Sequence, residues 1–189
     1  MKKLLILCFT LFLLGSFTAC GSQEDASPED SSRETDRYVK EELTAEELEK
    51  LLADQPVSVT SASLLPGEDG LKALYPDILS CILQNNSDAD IKNVTVAFTA
   101  WDANRLPVLI QGQYDPGDGS YVAESDYEAI NLVPGGTFGK DYGLPLADEP
   151  HNIATCKAIV VSYETFEGDT WSNPYYDDFK TLYEGQKLK

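Results

Sequence analysis

The chain has 189 residues with 32 acids against 14 bases, a formal charge of −18. Such a surface repels nucleic acid and anionic lipid head groups. A single histidine leaves no histidine pair for zinc, and the length allows one domain of ordinary size beyond the terminal segments.

Residues 1–19 read as an export signal. Lys2 and Lys3 precede an apolar run from Leu4 to Leu14, followed by Phe17-Thr18-Ala19-Cys20-Gly21. The run is too short to cross a bilayer, which needs about 20 residues. The segment resembles a bacterial lipoprotein signal, which implies cleavage before Cys20 and a diacylglyceryl group on its thiol. Two acyl chains would hold the protein stably where one would not. Removing residues 1–19 takes two lysines and no acid, so the expected mature chain keeps 12 bases, 32 acids and a charge of −20. Its address is expected to be the extracytoplasmic face of the cell membrane, with the membrane a partner through Cys20 alone. Residues 20–42 begin with the lipidated cysteine and carry eight acids and three bases with almost nothing to bury. They are expected to form a disordered tether spanning roughly 25 Å.

Residues 43–56 change character. Leu48, Leu51 and Leu52 fall at helical spacing, Thr44 and Glu47 fit a capping box, and Pro56 ends the pattern. A helix this short is marginal alone and is expected to lay its leucines on the domain.

Residues 57–189 turn to β-type segments broken by Gly, Pro, Asn and Asp clusters. The expected fold is mainly β, an antiparallel immunoglobulin-like β-sandwich with a short N-terminal and a short C-terminal helix. Val57 to Leu64 alternates, and Ile78 to Leu83 is a continuous apolar run. Ile91 to Trp101 presents Val94, Val96, Phe98 and Ala100 on one face. Asp102 to Arg105 reads as a turn with Asn104 at positive φ, leading into a return strand from Leu106 to Ile110 that Pro107 would hold at an edge. Gln111 to Asp126 is a polar excursion, Pro134-Gly135-Gly136 a tight turn, and Ile153 to Tyr163 a second long strand. Asn173 would cap the last helix, Pro174 begin it and Gly185 end it. Tyr175, Phe179, Leu182 and Tyr183 then share one side.

Cys81 and Cys156 lie mid-strand with inward parity. They are either a disulfide, which an exported compartment permits, or two buried free thiols. A bond closing that long loop would stabilise by about 4 kcal/mol.

The strand Ile91-Lys92-Asn93-Val94-Thr95-Val96-Ala97-Phe98-Thr99-Ala100-Trp101-Asp102, with Leu132-Val133-Pro134-Gly135-Gly136-Thr137-Phe138-Gly139, Ala158-Ile159-Val160-Val161-Ser162-Tyr163 and Trp171-Ser172-Asn173-Pro174-Tyr175-Tyr176, resembles an uncharacterised immunoglobulin-like domain family of Gram-positive surface lipoproteins, similar to FxLYD-type domains. The resemblance covers about residues 57 to 188. It implies a sandwich at the cell surface and brings no catalytic residues.

The chemistry expected is therefore recognition, not catalysis, with no cofactor. Both domain cysteines lie in apolar runs that suppress the thiolate, Gly-x-Ser-x-Gly is absent, and His151 reads as a solvated loop residue. Trp101, Tyr114 and Tyr121 form the candidate ligand surface, for a surface protein or a glycan. Asp115, Asp118 and Asp126 offer calcium-type oxygen ligands without the spacing of a calcium loop. The alternative is a small cell-wall-directed enzyme using paired carboxylates, which needs only two acids at a set separation.

Overall fold

The structure is a computed structural model that describes residues 43–68, 70–147 and 150–189. The signal peptide, Cys20 and the tether lie outside the described residues. Helix α1 spans Ala45–Ala53. It is followed by strands β1 (Val57–Leu65), β2 (Ile78–Asn85), β3 (Ile91–Trp101), β4 (Pro107–Val108), β5 (Ala123–Tyr127), β6 (Thr137–Phe138), β7 (Gly143–Pro145), β8 (Thr155–Thr165) and β9 (Thr170–Ser172). Helix α2, Tyr176–Tyr183, closes the chain.

Two antiparallel sheets form a β-sandwich. In one, β2 lies between β1 and the short pair β6 and β7. In the other, β3 is flanked by β8 on one side and by β4 and β5 on the other, with β9 beyond β8. Placing the first two strands with the β6/β7 return, and the third with the last two, is the strand order of immunoglobulin-type sandwiches.

β3 organises the interior. Val94, Val96, Phe98 and Ala100 point between the sheets, where they meet Leu79, Leu83, Ile110, Tyr127 and Val160. The alternate residues Ala97 and Trp101 face the outer side, under a second apolar layer of Leu48 from α1 and Phe179 and Tyr183 from α2. The leucine stripe of α1 thus packs on the domain. Its start is fixed by the expected capping box: the Glu47 N–H donates to Thr44 Oγ1 at 3.3 Å, and the Thr44 N–H donates to Glu47 Oε2 at 2.9 Å. The Thr44 hydroxyl donates to the same Glu47 oxygen at 2.7 Å, and this bond, with that from the Thr44 N–H, holds the Glu47 carboxyl below its usual value.

Several local readings are corrected. α2 begins at Tyr176 with no side-chain cap, because Asn173 is engaged elsewhere. Its Oδ1 accepts from the Tyr175 N–H at 2.9 Å and its amide donates to the Val160 carbonyl at 2.7 Å, tying the helix approach to β8. In the turn after β3 the positive φ of 65° falls on Arg105, not Asn104. Asp102 Oδ1 accepts from both the Asn104 and Leu106 N–H groups at 2.8 Å, and this places the left-handed residue one position later. The return strand shrinks to Pro107–Val108, and the end of the polar excursion forms β5 on β3. The second long strand lies two residues later than its apolar run, since Glu164 and Thr165 pair with β3 despite their polarity. Cys81 and Cys156 are free thiols, both buried. Burial pushes Cys81 up to about 12 and Cys156 to about 11, so neither is a thiolate at neutral pH.

Candidate functional site

The candidate ligand surface is not assembled as expected. Trp101 is 0% exposed. It stands on the helix-covered side of β3, meets Tyr183 edge to face at 5.8 Å, and donates its indole N–H to the Gln186 carbonyl at 2.7 Å. Tyr114 is 85% exposed and Tyr121 39%. Nor do the calcium candidates converge. Asp115 accepts from the Gly112 N–H inside its own loop, and Asp126 accepts from the Thr95 hydroxyl across the β3–β5 pair at 2.7 Å. Among the described residues no three His, Cys, Asp or Glu side chains are grouped to hold a metal.

Asp118 and Tyr121 do share a hollow of about 350 Å³ with His151, Gln111 and Ile153. His151 is not merely solvated. Its Nε2 donates to Asp77 Oδ2 at 2.7 Å, and the same oxygen takes Lys72 Nζ at 2.9 Å while Oδ1 takes the Gly67 N–H at 2.7 Å. Burial pushes the Asp77 carboxyl up, but these three donors outweigh it and hold the group at about 2. The corner is a knot that ties the β1–β2 connection to the loop before β8.

A second cleft, of about 380 Å³, opens where the edge of one sheet approaches the other. Consecutive residues Val57 to Ala62 of β1 and Cys156 to Val160 of β8 line it, so its walls are main chain seen edge on, not alternate side chains. α1 contributes Glu49, Leu52 and Ala53, and α2 contributes Phe179 and Tyr183. Lys157 pairs with Glu49 and lies 5.3 Å from the centre of the Tyr183 ring. The Tyr183 hydroxyl is buried without a hydrogen-bond partner. Burial raises its pKa, with Lys157 opposing and Glu49 adding to the shift. An unmade hydroxyl bond in an enclosed wall is costly, on the order of 1–3 kcal/mol.

β1 is the terminal strand of its sheet, and among the described residues its outer edge has no partner strand. The Asn85 N–H and C=O bond to Gly136 and Gly135, so they point away from β1, whereas the Asn86 N–H donates to the Pro56 carbonyl. Val57, opposite Asn85, and Val59, two residues on, therefore turn their own N–H and C=O groups away from β2. A bulge at Thr60 resets the alternation so that Ala62 and Leu64 do the same. Sequence pattern identified β1 as a strand, but not as an edge beside β8, and Tyr183 was legible only as an apolar helix residue. The signal that was available is composition: Val57–Leu65 carries no charge, lysine or proline, the features that usually blunt an exposed edge.

No curated protein matches the chain. A solved structure, of a hypothetical protein from Peptoclostridium difficile 630, is similar over 71% of this chain and 94% of that one, with a TM-score of 0.56 and 11% identity, a likeness of fold alone. A family model matches residues 78–186, from β2 through α2 and so across most of the sandwich. The chain belongs to that family, a family of unknown function (DUF5780).

Proposed function

We propose that the protein is a lipid-anchored, extracytoplasmic binding module that captures a partner in the cleft between β1 and β8. The observation that carries this reading is that cleft, with a strand edge lacking a partner on one side and a buried hydroxyl lacking one in its wall. Supporting the address are the Phe17-Thr18-Ala19-Cys20-Gly21 segment and its resemblance to lipoprotein signals. A two-sheet sandwich is also the fold that the resemblance to FxLYD-type surface domains implies. Lipid on Cys20 would fix the module at the membrane, since its acidic surface gives no attraction to anionic head groups.

Two measurements test it. The mature protein taken from its own membrane should begin at Cys20 and carry acyl mass; a chain starting elsewhere or lacking lipid overturns the anchor. A photoreactive group at Ser61, exposed at the cleft, should give a defined adduct in that membrane that the same group at Glu167, on the exposed β8–β9 turn, does not. Equal labelling from both positions, or none from Ser61, overturns the cleft as the binding site.

A further inference from the structure

We infer that the turn at residues 71–75 forms a membrane-facing surface, whose apolar side chains seat among the head groups of the bilayer that holds the anchor. This rests on the lipid-anchored reading above and adds the orientation in which the domain is held. In the β1–β2 connection the Leu74 and Tyr75 N–H groups both donate to the Leu71 carbonyl at 2.9 Å. That single turn sets Leu71, Leu74 and Tyr75 at spacings of three and four, on one side. All three are exposed, Leu74 by 73% and Tyr75 by 56%. Gln113 Nε2 donates to the Ala73 carbonyl at 3.2 Å, which fastens the loop of the exposed Tyr114 to this turn. The stem is built to hold the display. The Glu68 N–H donates to the Tyr75 carbonyl at 3.2 Å, and only glycine fits at Gly67, where a Cβ would stand 2.0 Å from that same oxygen. The Asp77 knot fixes the stem again through Gly67 and Lys72. An exposed apolar cluster marks an interaction surface, and leucine beside tyrosine suits a bilayer interface, where the alkyl chain enters and the phenol stays at the head groups.

The path of the chain selects lipid as the occupant. Residues 20–42 lead into the described domain at Leu43, which lines a hollow with Lys187 and Leu188. The Leu188 N–H donates to the Arg105 carbonyl, in the turn that follows β3. The end of β3 is joined to the loop before β8 by the Ala154 N–H on the Trp101 carbonyl, and that loop to the start of β2 by His151 on Asp77. The chain from Cys20 therefore enters at the end of the sandwich that displays the apolar turn. β3, of 11 residues, is about 35 Å long, more than the roughly 25 Å expected of the tether. The opposite end, with Glu167 on the β8–β9 turn, reaches the bilayer only if the tether is drawn out beyond its mean span. Charge selects the lipid. Asp115 and Asp118 follow Tyr114, so an anionic surface is repelled and a zwitterionic one is not.

The test uses the whole mature protein with a photoreactive group at Leu74 or at Glu167, in two settings. In one, the protein stands in its own membrane; in the other, the chain from Cys20 is coupled through that thiol to maleimide-bearing phosphatidylcholine vesicles. In both, Leu74 should give at least about tenfold more lipid adduct than Glu167, the preference that burying about one leucine confers. Leu71→Ser combined with Tyr75→Ser should lower the Leu74 adduct severalfold and leave thermal unfolding unchanged, because both side chains are exposed. Adding phosphatidylglycerol to the vesicles should lower it too, and salt should restore it. Equal lipid labelling from the two positions, or none from Leu74, overturns the membrane-facing surface. So does a protein adduct at Leu74 in the native membrane without a lipid adduct, the mark of a protein-binding patch. The coupled vesicles separate this surface from the anchor. If the mature protein carries no acyl mass but Leu74 labels lipid in the vesicles, the anchor falls and the surface stands; if acyl mass is present and Leu74 labels no lipid, the anchor stands and the surface falls.

Discussion

The two apolar layers of this molecule treat their polar groups differently. Between the sheets, Cys81 Sγ meets the Tyr127 hydroxyl at 3.7 Å, and Asn85 donates to the Ala89 and Leu132 carbonyls at 2.8 and 2.9 Å while accepting from Ser87. On the outer face of β3 and β8, the Trp101 N–H is satisfied but the Tyr183 hydroxyl is not. These inter-sheet groups are paired, which is what a stabilising core requires; the other buried polar atom without a partner among the described residues, His151 Nδ1, belongs to the Asp77 corner. The outer layer borders the β1–β8 cleft and keeps a bond unmade, which suits a surface that completes itself on binding.

That contrast breaks most readily at Phe98, 0% exposed in the inter-sheet core. Phe98→Ala should cost about 3–5 kcal/mol by denaturant unfolding, enough to leave a domain of this size barely folded. Leu48→Ala in the helix layer should cost less, about 2–3 kcal/mol, because a nine-residue helix can shift to close part of the cavity. The two tryptophans report the layers separately. Trp101 lies in the helix layer, and Trp171 stacks on Tyr163 at 5.2 Å against the inter-sheet core. Single-tryptophan variants should show Leu48→Ala perturbing Trp101 emission and leaving Trp171 unchanged. Equal perturbation of both would mean the layers are one cooperative unit with no separate character.

The Asp77 knot gives the next largest effect, and it depends on pH. Its folded carboxyl sits at about 2, below the usual 3.8. The stability it contributes is therefore present above pH 4 and is lost as pH falls through 4 toward 2. Asp77→Asn should cost about 1–2 kcal/mol at pH 7 and converge with the wild type near pH 2. A difference that persisted unchanged at pH 2 would assign the loss to packing and not to charge.

Much of the sandwich is legible in the sequence because period-two alternation survives wherever one strand face is buried. β3 shows this end to end: Val94 to Ala100 marks the core face, and Trp101 falls on the other face as its parity requires. β6 and β7, two and three residues long, are too short to leave a pattern. β5, Ala123–Tyr127, is polar at its three central positions because only its end residues reach the core. The candidate site was less legible still. Asp77 and His151 are 74 residues apart, and the cleft joins β1 to β8, so both depend on a juxtaposition of sheets that no local pattern encodes. Trp101 has the chemistry of a surface aromatic, but its parity, opposite to the core face of Val94 to Ala100, puts it on the side of β3 that the two helices cover.

The smallest effect separates the layers most sharply, because it should have the opposite sign. Removing a satisfied hydroxyl from a core loses a bond, whereas removing one that is buried and unpaired relieves a desolvation cost. Tyr183→Phe keeps the edge-to-face contacts with Trp101 and Phe179, at 5.8 and 5.0 Å, and deletes only the orphaned oxygen. It should therefore raise stability by about 1 kcal/mol, while Tyr127→Phe, which strips the partner from Cys81 in the inter-sheet core, should lower it or leave it unchanged. Thermal unfolding of the two variants side by side measures the difference directly. A stabilised Tyr183→Phe that has also lost the Ser61 adduct would show that the fold accepts a standing cost at this position and that binding recovers it. Destabilisation by Tyr183→Phe would mean that the hydroxyl is already satisfied in the free protein, and the helix layer would then be as closed as the core beneath it.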